Sequence, residues 1–203
     1  MLATELAATV RRRGRARVVD VGTGSGVLAT VAALAGAEAT AVDGSRRALL
    51  SARATAQANG VRMRTLRGDL LGPVWGERFD VVVSNPPYVP AETDDLPSRG
   101  LRRATDAGVD GRAIIDRLCR EAPGVLAPGG ELLLVHSGIC DEARTLEQLR
   151  RAGLSAEIVR RHRGGFGPLV RARRELLVER GVLDPAATAE DVVILRGRQA
   201  VAA

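Results

Sequence analysis

The stretch Arg17-Val18-Val19-Asp20-Val21-Gly22-Thr23-Gly24-Ser25-Gly26 decides the fold. Its first five residues read as a buried strand, its glycines as a tight turn, and the apolar run from Val27 to Ala35 as the helix that follows. Glycine lets a backbone turn sharply and approach a ligand where a Cβ would clash. The glycines alternate as G-x-G-x-G, not in the G-x-G-x-x-G spacing of a dinucleotide fold, and no Lys follows them as it would in a P-loop. Asp20 precedes them, where a carboxylate suits the positively charged end of a ligand and would repel a pyrophosphate. Asp20, Gly22, Thr23, Gly24 and Gly26 are therefore the first candidate ligand-binding residues.

The same alternation of strand and helix continues outward. A second strand, Ala39 to Val42, ends at Asp43, and Ser45 is a good N-cap for a helix that Asn59-Gly60 stops after about Ala58. Arg62 to Arg67 is a third strand leading into Gly68-Asp69-Leu70, and Phe79 to Ser84 is a fourth, with Val81-Val82-Val83 suited to burial on both faces. Residues 89–111, with Pro90 and Pro97, lack an apolar period and read as a long loop, functional or mobile. A helix over Ala113 to Glu121 follows, then a Pro128-Gly129-Gly130 turn and a fifth strand from Glu131 to His136. The remainder reads as a helix over Glu142 to Ala152, a strand over Ser155 to Arg161, a loop over Gly164 to Pro168, a helix over Arg171 to Arg180 and a strand over Asp191 to Arg196. The class implied is α/β, an open and largely parallel sheet with helices on both faces. Such sheets bind ligands outside the carboxyl ends of their strands. Asp43, at the end of the second strand, is placed to accept two ribose hydroxyls, and Gly68, Asp69 and Leu70 are placed at an adenine, with Asp69 accepting its amino group.

Asn85-Pro86-Pro87-Tyr88 follows the fourth strand without a gap. Consecutive prolines fix φ and remove two N–H donors, so the turn is stiff and its carbonyls are free to accept. A planar amide or exocyclic amino nitrogen has its lone pair delocalised and attacks poorly. The Asn85 side-chain oxygen and the Pro86 carbonyl can take its two hydrogens, while Pro87 and Tyr88, the only Tyr, flank the planar group. Asn85, Pro86 and Tyr88 are the catalytic candidates, and all four residues are candidates for holding the acceptor.

With the glycine turn and Asp43, the chain resembles the class I methyltransferases. That resemblance implies a seven-stranded Rossmann-like sheet with an antiparallel last strand, and S-adenosyl-L-methionine as the cofactor of the residues named above, Asn85 included. Val83-Ser84-Asn85-Pro86-Pro87-Tyr88-Val89-Pro90, Ala107-Gly108-Val109-Asp110-Gly111 and Pro128-Gly129-Gly130-Glu131 further resemble the HemK-type protein-glutamine N5-methyltransferases, in their short single-domain branch. The resemblance runs from about Arg17 to Arg196 and implies a glutamine amide of a peptide-chain release factor as acceptor. A small activator subunit is implied for some short members. Members usually carry a further segment before the first strand, contributing to lid and substrate channel, where this sequence has residues 1–16. Residues 1–203 are expected to form a single methyltransferase domain.

Composition narrows the alternatives. Hydrophobic residues make up 45% and aromatics 2%, so Ala, Val, Leu and Ile must build the core. The net charge of +6 would favour polyanions, but every basic residue is Arg, a bias that GC-rich coding produces. Two other enzyme acceptors stay open, a nucleic acid base and a small-molecule amine. The first is not favoured, because so few aromatics offer few stacking platforms. A catalytically idle, cofactor-binding partner subunit is a third reading, against which the intact Asn85 turn speaks. Cys119 and Cys140 stand alone, with two His in the chain, so no metal site is expected. A cytoplasmic protein without a membrane span is expected. His136 reads as a core residue, His162 as a surface one, and Trp75 and Phe79 as packing around the fourth strand. Phe166 reads equally as a lid residue, and Arg171, Arg173 and Arg174 as a solvated helix face or one turned to an acidic partner.

Overall fold

The computed structural model describes residues 1–95 and 107–201, so the middle of the long loop, Pro97 included, lies outside the described residues. Helix α1 (Leu2–Arg13) leads into β1 (Arg17–Val21), α2 (Val27–Leu34), β2 (Glu38–Asp43), α3 (Arg46–Ala58), β3 (Arg64–Arg67) and β4 (Phe79–Ser84). Then come α4 (Ala113–Glu121), β5 (Leu126–Ser137), α5 (Glu142–Arg151), β6 (Ser155–Gly165), α6 (Pro168–Ala172), α7 (Arg174–Glu179) and β7 (Ala189–Arg198). The strands form a seven-stranded sheet in the order β3-β2-β1-β4-β5-β7-β6. The β1–β5 ladder is parallel, and β7 runs antiparallel to both β5 and β6.

Because successive strand residues point to opposite faces, the valine-rich strands build two cores. On one face Val19, Val21, Val82 and Leu134 pack with Ile115 and Leu118 of α4 and Leu149 of α5. On the other, Val18, Val81, Val83 and Leu133 pack with Leu6 and Val10 of α1 and Ala29 and Ala32 of α2. Small aliphatic side chains thus close both faces with almost no aromatic contribution. Phe79 is buried, with the Arg17 guanidinium 4.9 Å from its ring centroid. Trp75 is not the packing residue expected: it is 64% exposed, lying across Gly124, whose missing side chain leaves room for the indole.

Three elements depart from the sequence reading. Pro128-Gly129-Gly130 lies inside β5, where the pairing with β4 passes from Phe79↔Leu126 to Val81↔Glu131 and the residues between are looped out. Gly164 and Gly165 extend β6, because they pair with Glu190 and Ala189 at the start of β7. The helix expected over Arg171 to Arg180 is two short helices, α6 beginning at Pro168 and α7 after a break at Arg173, whose φ of −105° leaves helical geometry. Proline at a first helical position is well suited to that start, since the N–H it lacks has no intrahelical partner.

Candidate active site

The register of the sheet assembles the site. Val21 of β1 pairs with Val42 on one side and with Ser84 on the other, and Asp43 pairs with Arg67. The residues that follow these pairs, Gly22, Asn85 and Gly68, and Asp43 itself therefore emerge along one carboxyl edge. The glycine turn is pinned there, since the Gly22 and Thr23 N–H groups both donate to the Val42 carbonyl at 2.9 and 3.0 Å. The Ser84 hydroxyl donates to the Val21 carbonyl at 2.7 Å, which locks the start of the Asn85 turn to the start of the glycine turn.

Asp20 is 1% exposed. One of its carboxylate oxygens, Oδ2, accepts from the Thr23 hydroxyl at 2.5 Å and the Ala29 N–H at 3.1 Å. The other, Oδ1, is buried with no partner. Burial raises the pKa to about 6 against the hydrogen bonds from Thr23 and Ala29, with the Asp43 charge adding to the rise. Asp43 accepts from the Gly24 N–H at 3.1 Å and the Ser45 N–H at 2.8 Å, one on each oxygen, so each keeps acceptor capacity. The expected residues do not all face a ligand in the same way. A Cβ at Gly22 would meet nothing within 4 Å, so that part of the turn opens onto free space. At Gly26 a Cβ would stand 2.6 Å from Ala52, so this glycine serves the packing of the turn against α3. Asp69 is largely exposed, and its Oδ2 accepts from Arg117 Nη2 of α4 at 2.7 Å. Leu70 takes a positive φ of 42°, which turns the chain away after Asp69.

Asn85 is exposed, Pro86 buried, and Pro87 and Tyr88 half-buried. The Tyr88 carbonyl accepts from the Cys140 thiol at 2.7 Å. The Tyr88 phenol is held above its ordinary pKa, first by burial and then by the charges of Glu190 and Cys140. Gly111, at φ +72°, passes directly against the Tyr88 carbonyl, and a side chain there would overlap it. The next residue, Arg112, is 2% exposed and ties this crossing to α5: its guanidinium donates to the Cys140 and Asp141 carbonyls, to Thr145 and to Gln148, and pairs with Asp116.

The described structure also brings residues to the turn that the sequence reading missed. A cavity of about 270 Å³ is lined by Asn85 to Val89 on one side, by Gly167 to Val170 at the start of α6 on the other, and by Glu190 of β7. Val89, Phe166, Val170, Leu177 and Leu183 form a small third core beside it, with Tyr88 packed against that core. Phe166 is accordingly 8% exposed, an anchor under the covering segment with the Arg174 guanidinium 5.4 Å from its ring centroid. Arg171 is exposed and Arg173, Arg174 and Arg180 are half-buried, and all four reach backbone carbonyls of the chain itself. Arg171 donates to the Phe166 carbonyl, Arg173 to those of Val89 and Pro90, Arg174 to those of Pro185 and Ala187, and Arg180 to those of Ala91, Glu92 and Val109. The Gly167-Pro168 step was the one local signal for the helix start. Glu190, Ser137 and Arg112 gave none, because their roles depend on partners distant in sequence.

His136 is fully buried, bonded to the Ser137 carbonyl and Thr145, and its pKa is lowered by burial. His162 is exposed on β6. Burial pushes the Cys119 and Cys140 thiols up to about 12, which makes neither a nucleophile. Among the described residues no group of three or more His, Cys, Asp or Glu comes together as a metal site, and no helix is long and apolar enough to cross a membrane.

The sequence and the fold have clear counterparts. Residues 1–159 match the family model described as the methyltransferase small domain. A Methanocaldococcus jannaschii protein provisionally named a protein N5-glutamine methyltransferase is 34% identical over 154 residues, 75% of this chain and 78% of that one. The release factor glutamine methyltransferase of Bordetella pertussis is 42% identical over 165 residues, 76% of this chain and 60% of that one. The chain thus spans a little under two thirds of that relative's length. The solved structure of the E. cuniculi Mtq2–Trm112 complex responsible for methylation of the eRF1 translation termination factor aligns with a TM-score of 0.64 and 27% identity, over 97% of this chain and 94% of that one. With the model matched over residues 1–159 and a relative 34% identical over most of both chains, this chain belongs to the methyltransferase small domain family.

Proposed function

We propose that this chain is an S-adenosylmethionine-dependent N-methyltransferase acting on the side-chain amide of a glutamine in a protein, with a peptide-chain release factor as the acceptor. The observation that carries the proposal is the β1–β4 register, with Val21 opposite Ser84, which sets the glycine turn and the Asn85 turn side by side. The names of the relatives support the acceptor. The proposal includes residues 1–203 as one methyltransferase domain, and a cytoplasmic location where translation factors act. It also includes a small activator subunit, by analogy with the two-protein E. cuniculi complex.

The residues present fit the cofactor. The orphaned Oδ1 of Asp20 is a buried acceptor awaiting a donor, and the open space at Gly22 admits a ligand against the backbone. Asp20 would hold the cationic end of the cofactor through this turn, Asp43 the ribose hydroxyls, and Gly68, Asp69 and Leu70 the adenine end. The cofactor supplies an activated methyl group on a sulfonium. The chain's own contribution is positioning. The Asn85 side-chain oxygen and the Pro86 carbonyl accept the two amide hydrogens, and Pro87 and Tyr88 flank the plane of the amide. Positioning of this kind supplies up to roughly 7–11 kcal/mol in ideal cases, and it suits a nitrogen that is a poor nucleophile.

The test is transfer of labelled methyl from S-adenosylmethionine to purified release factor, RNA, DNA and a metabolite extract. Label on release factor at a glutamine is expected. Label confined to RNA, DNA or a metabolite would transfer the proposal to that acceptor and refute the present one. Asn85→Ala is expected to lower transfer by about 10²-fold or more, and cofactor affinity, read by calorimetry, by far less than transfer. Full activity of Asn85→Ala would refute the mechanism.

A further inference from the structure

We propose that Glu190 sets the acceptor specificity of the pocket beside Asn85, its fixed carboxylate admitting side chains that bring N–H donors and turning away anionic ones of the same shape. The inference rests on reading that pocket as the acceptor site.

Glu190 is 8% exposed, yet it lines the same cavity as the Asn85 turn. It is held on two sides. Its Oε2 accepts from the Ser137 hydroxyl at 2.5 Å, and its Oε1 accepts from the Gly167 N–H at 2.9 Å. Both tethers come from other elements, Ser137 at the end of β5 and Gly167 just before α6, so the carboxylate cannot swing away. Both are also neutral. Among the described residues no cation pairs with Glu190, although arginines pair with Glu5, Glu131, Glu142 and the adjacent Asp191. A carboxylate offers about four lone-pair sites, so two acceptor directions stay open beyond the two tethers. Most of the rest of the lining is apolar, from Pro86, Pro87, Val89, Pro168, Leu169 and Val170. In such surroundings charges act more strongly on one another than in water. The upward displacement of the neighbouring Tyr88 phenol owes part of its size to the same Glu190 charge, so the field reaches across the pocket.

This arrangement separates two side chains of nearly equal size. A glutamine amide presents two N–H donors, and Glu190 adds an acceptor to those of Asn85 and Pro86. A glutamate carboxylate has the same outline and no donor, and would face Glu190 as a like charge, which costs far more than any packing gain returns. The pocket therefore recognises the neutral amide by a repulsive element as well as an attractive one.

The experiment is binding of two probes to the full chain saturated with S-adenosylhomocysteine, at pH 8, read by ligand-observed NMR. The probes are N-acetyl-glutamine N-methylamide and N-acetyl-glutamate N-methylamide. The wild-type chain is expected to prefer the glutamine probe by about tenfold or more. Glu190→Gln should bring the two within about threefold, chiefly by gaining the glutamate probe. Ser137→Ala, which removes a tether and leaves the charge, should keep the tenfold preference; a purely structural role for Glu190 would have both variants behave alike. Leu169→Arg places a cation at the pocket wall with Glu190 intact, and it should relax the preference even if Glu190→Gln does not fold. A wild-type chain without preference, or relaxation in neither Glu190→Gln nor Leu169→Arg, overturns the inference alone. Binding of neither probe to the wild-type chain overturns the acceptor-pocket reading and this inference with it.

Discussion

Asp20 carries a chemical tension that a cationic ligand would relieve. Its carboxyl titrates near pH 6 because burial penalises the charge more than Thr23 and Ala29 stabilise it. The folded state therefore holds this proton more tightly than the unfolded chain. The contribution is fully present below the ordinary value of 3.8 and is lost as pH rises through about 6. We predict that ligand-free protein loses stability over that window, by roughly 2–3 kcal/mol at most, and that Asp20→Asn flattens the profile in urea melts at pH 4 to 7. Affinity for S-adenosylmethionine should rise across the same window, as the ionised carboxylate meets a cation; a flat binding profile from pH 5 to 7.5 would show that Asp20 does not sense the ligand's charge. Asp43→Ala is expected to weaken cofactor binding by roughly tenfold or more, while the stability of the ligand-free fold changes little, since among the described residues the Asp43 carboxylate ties only the Gly24 and Ser45 N–H groups.

The segment from β6 to β7 is held to the Asn85 turn by arginine side chains rather than by a continuous ladder. Arg180 spans the carbonyls of Ala91, Glu92 and Val109, and Arg173 those of Val89 and Pro90. Hydrogen bonds to a charged group contribute roughly 1.5–3 kcal/mol each before desolvation is counted. We expect Arg180→Ala to speed hydrogen exchange at residues 89–95 and 107–111 by at least about tenfold, with little change in the β1–β5 ladder. Uniform exchange rates in the two proteins would assign Arg180 no such role. Gly111→Ala is expected to cost about 2 kcal/mol or more, because a side chain there meets the Tyr88 carbonyl in a left-handed backbone; native stability with lost transfer would instead assign Gly111 a direct role. These elements also show what a sequence discloses. The glycine turn was legible because strand, glycines and helix follow one another directly in the sequence, whereas the pairing of Asp69 with Arg117 was not. The Asn85 turn was legible because two prolines announce it. The division of Arg171 to Arg180 into two helices was not, since the break at Arg173 goes with a guanidinium reaching back to Val89 and Pro90. Glu190 was hidden for the same reason, its partners lying at Ser137 and Gly167.

At the scale of the whole molecule, both faces of the sheet are closed by Val, Leu, Ile and Ala, and the carboxyl edge proposed to bind the cofactor is left to polar groups with spare acceptors. Ligand binding should therefore add directly to stability. At a hundredfold excess over its dissociation constant, S-adenosylhomocysteine is expected to stabilise the fold by about 2.7 kcal/mol, seen as a rise in the melting temperature. Asp43→Ala should lose most of that rise at the same ligand concentration; an undiminished shift would place the ligand elsewhere. The Ser84–Val21 hydrogen bond carries the last consequence. It makes the glycine turn and the Asn85 turn, the proposed donor and acceptor sides, two lips of one jaw cut from adjacent strands of one ladder. Reach between them is then a constant of the sheet, and what can vary is the opposing jaw from Phe166 to Glu190, built on separate strands and fastened by side chains. Retargeting such an enzyme to a new acceptor would mean re-carving that second jaw while the first stays as it is.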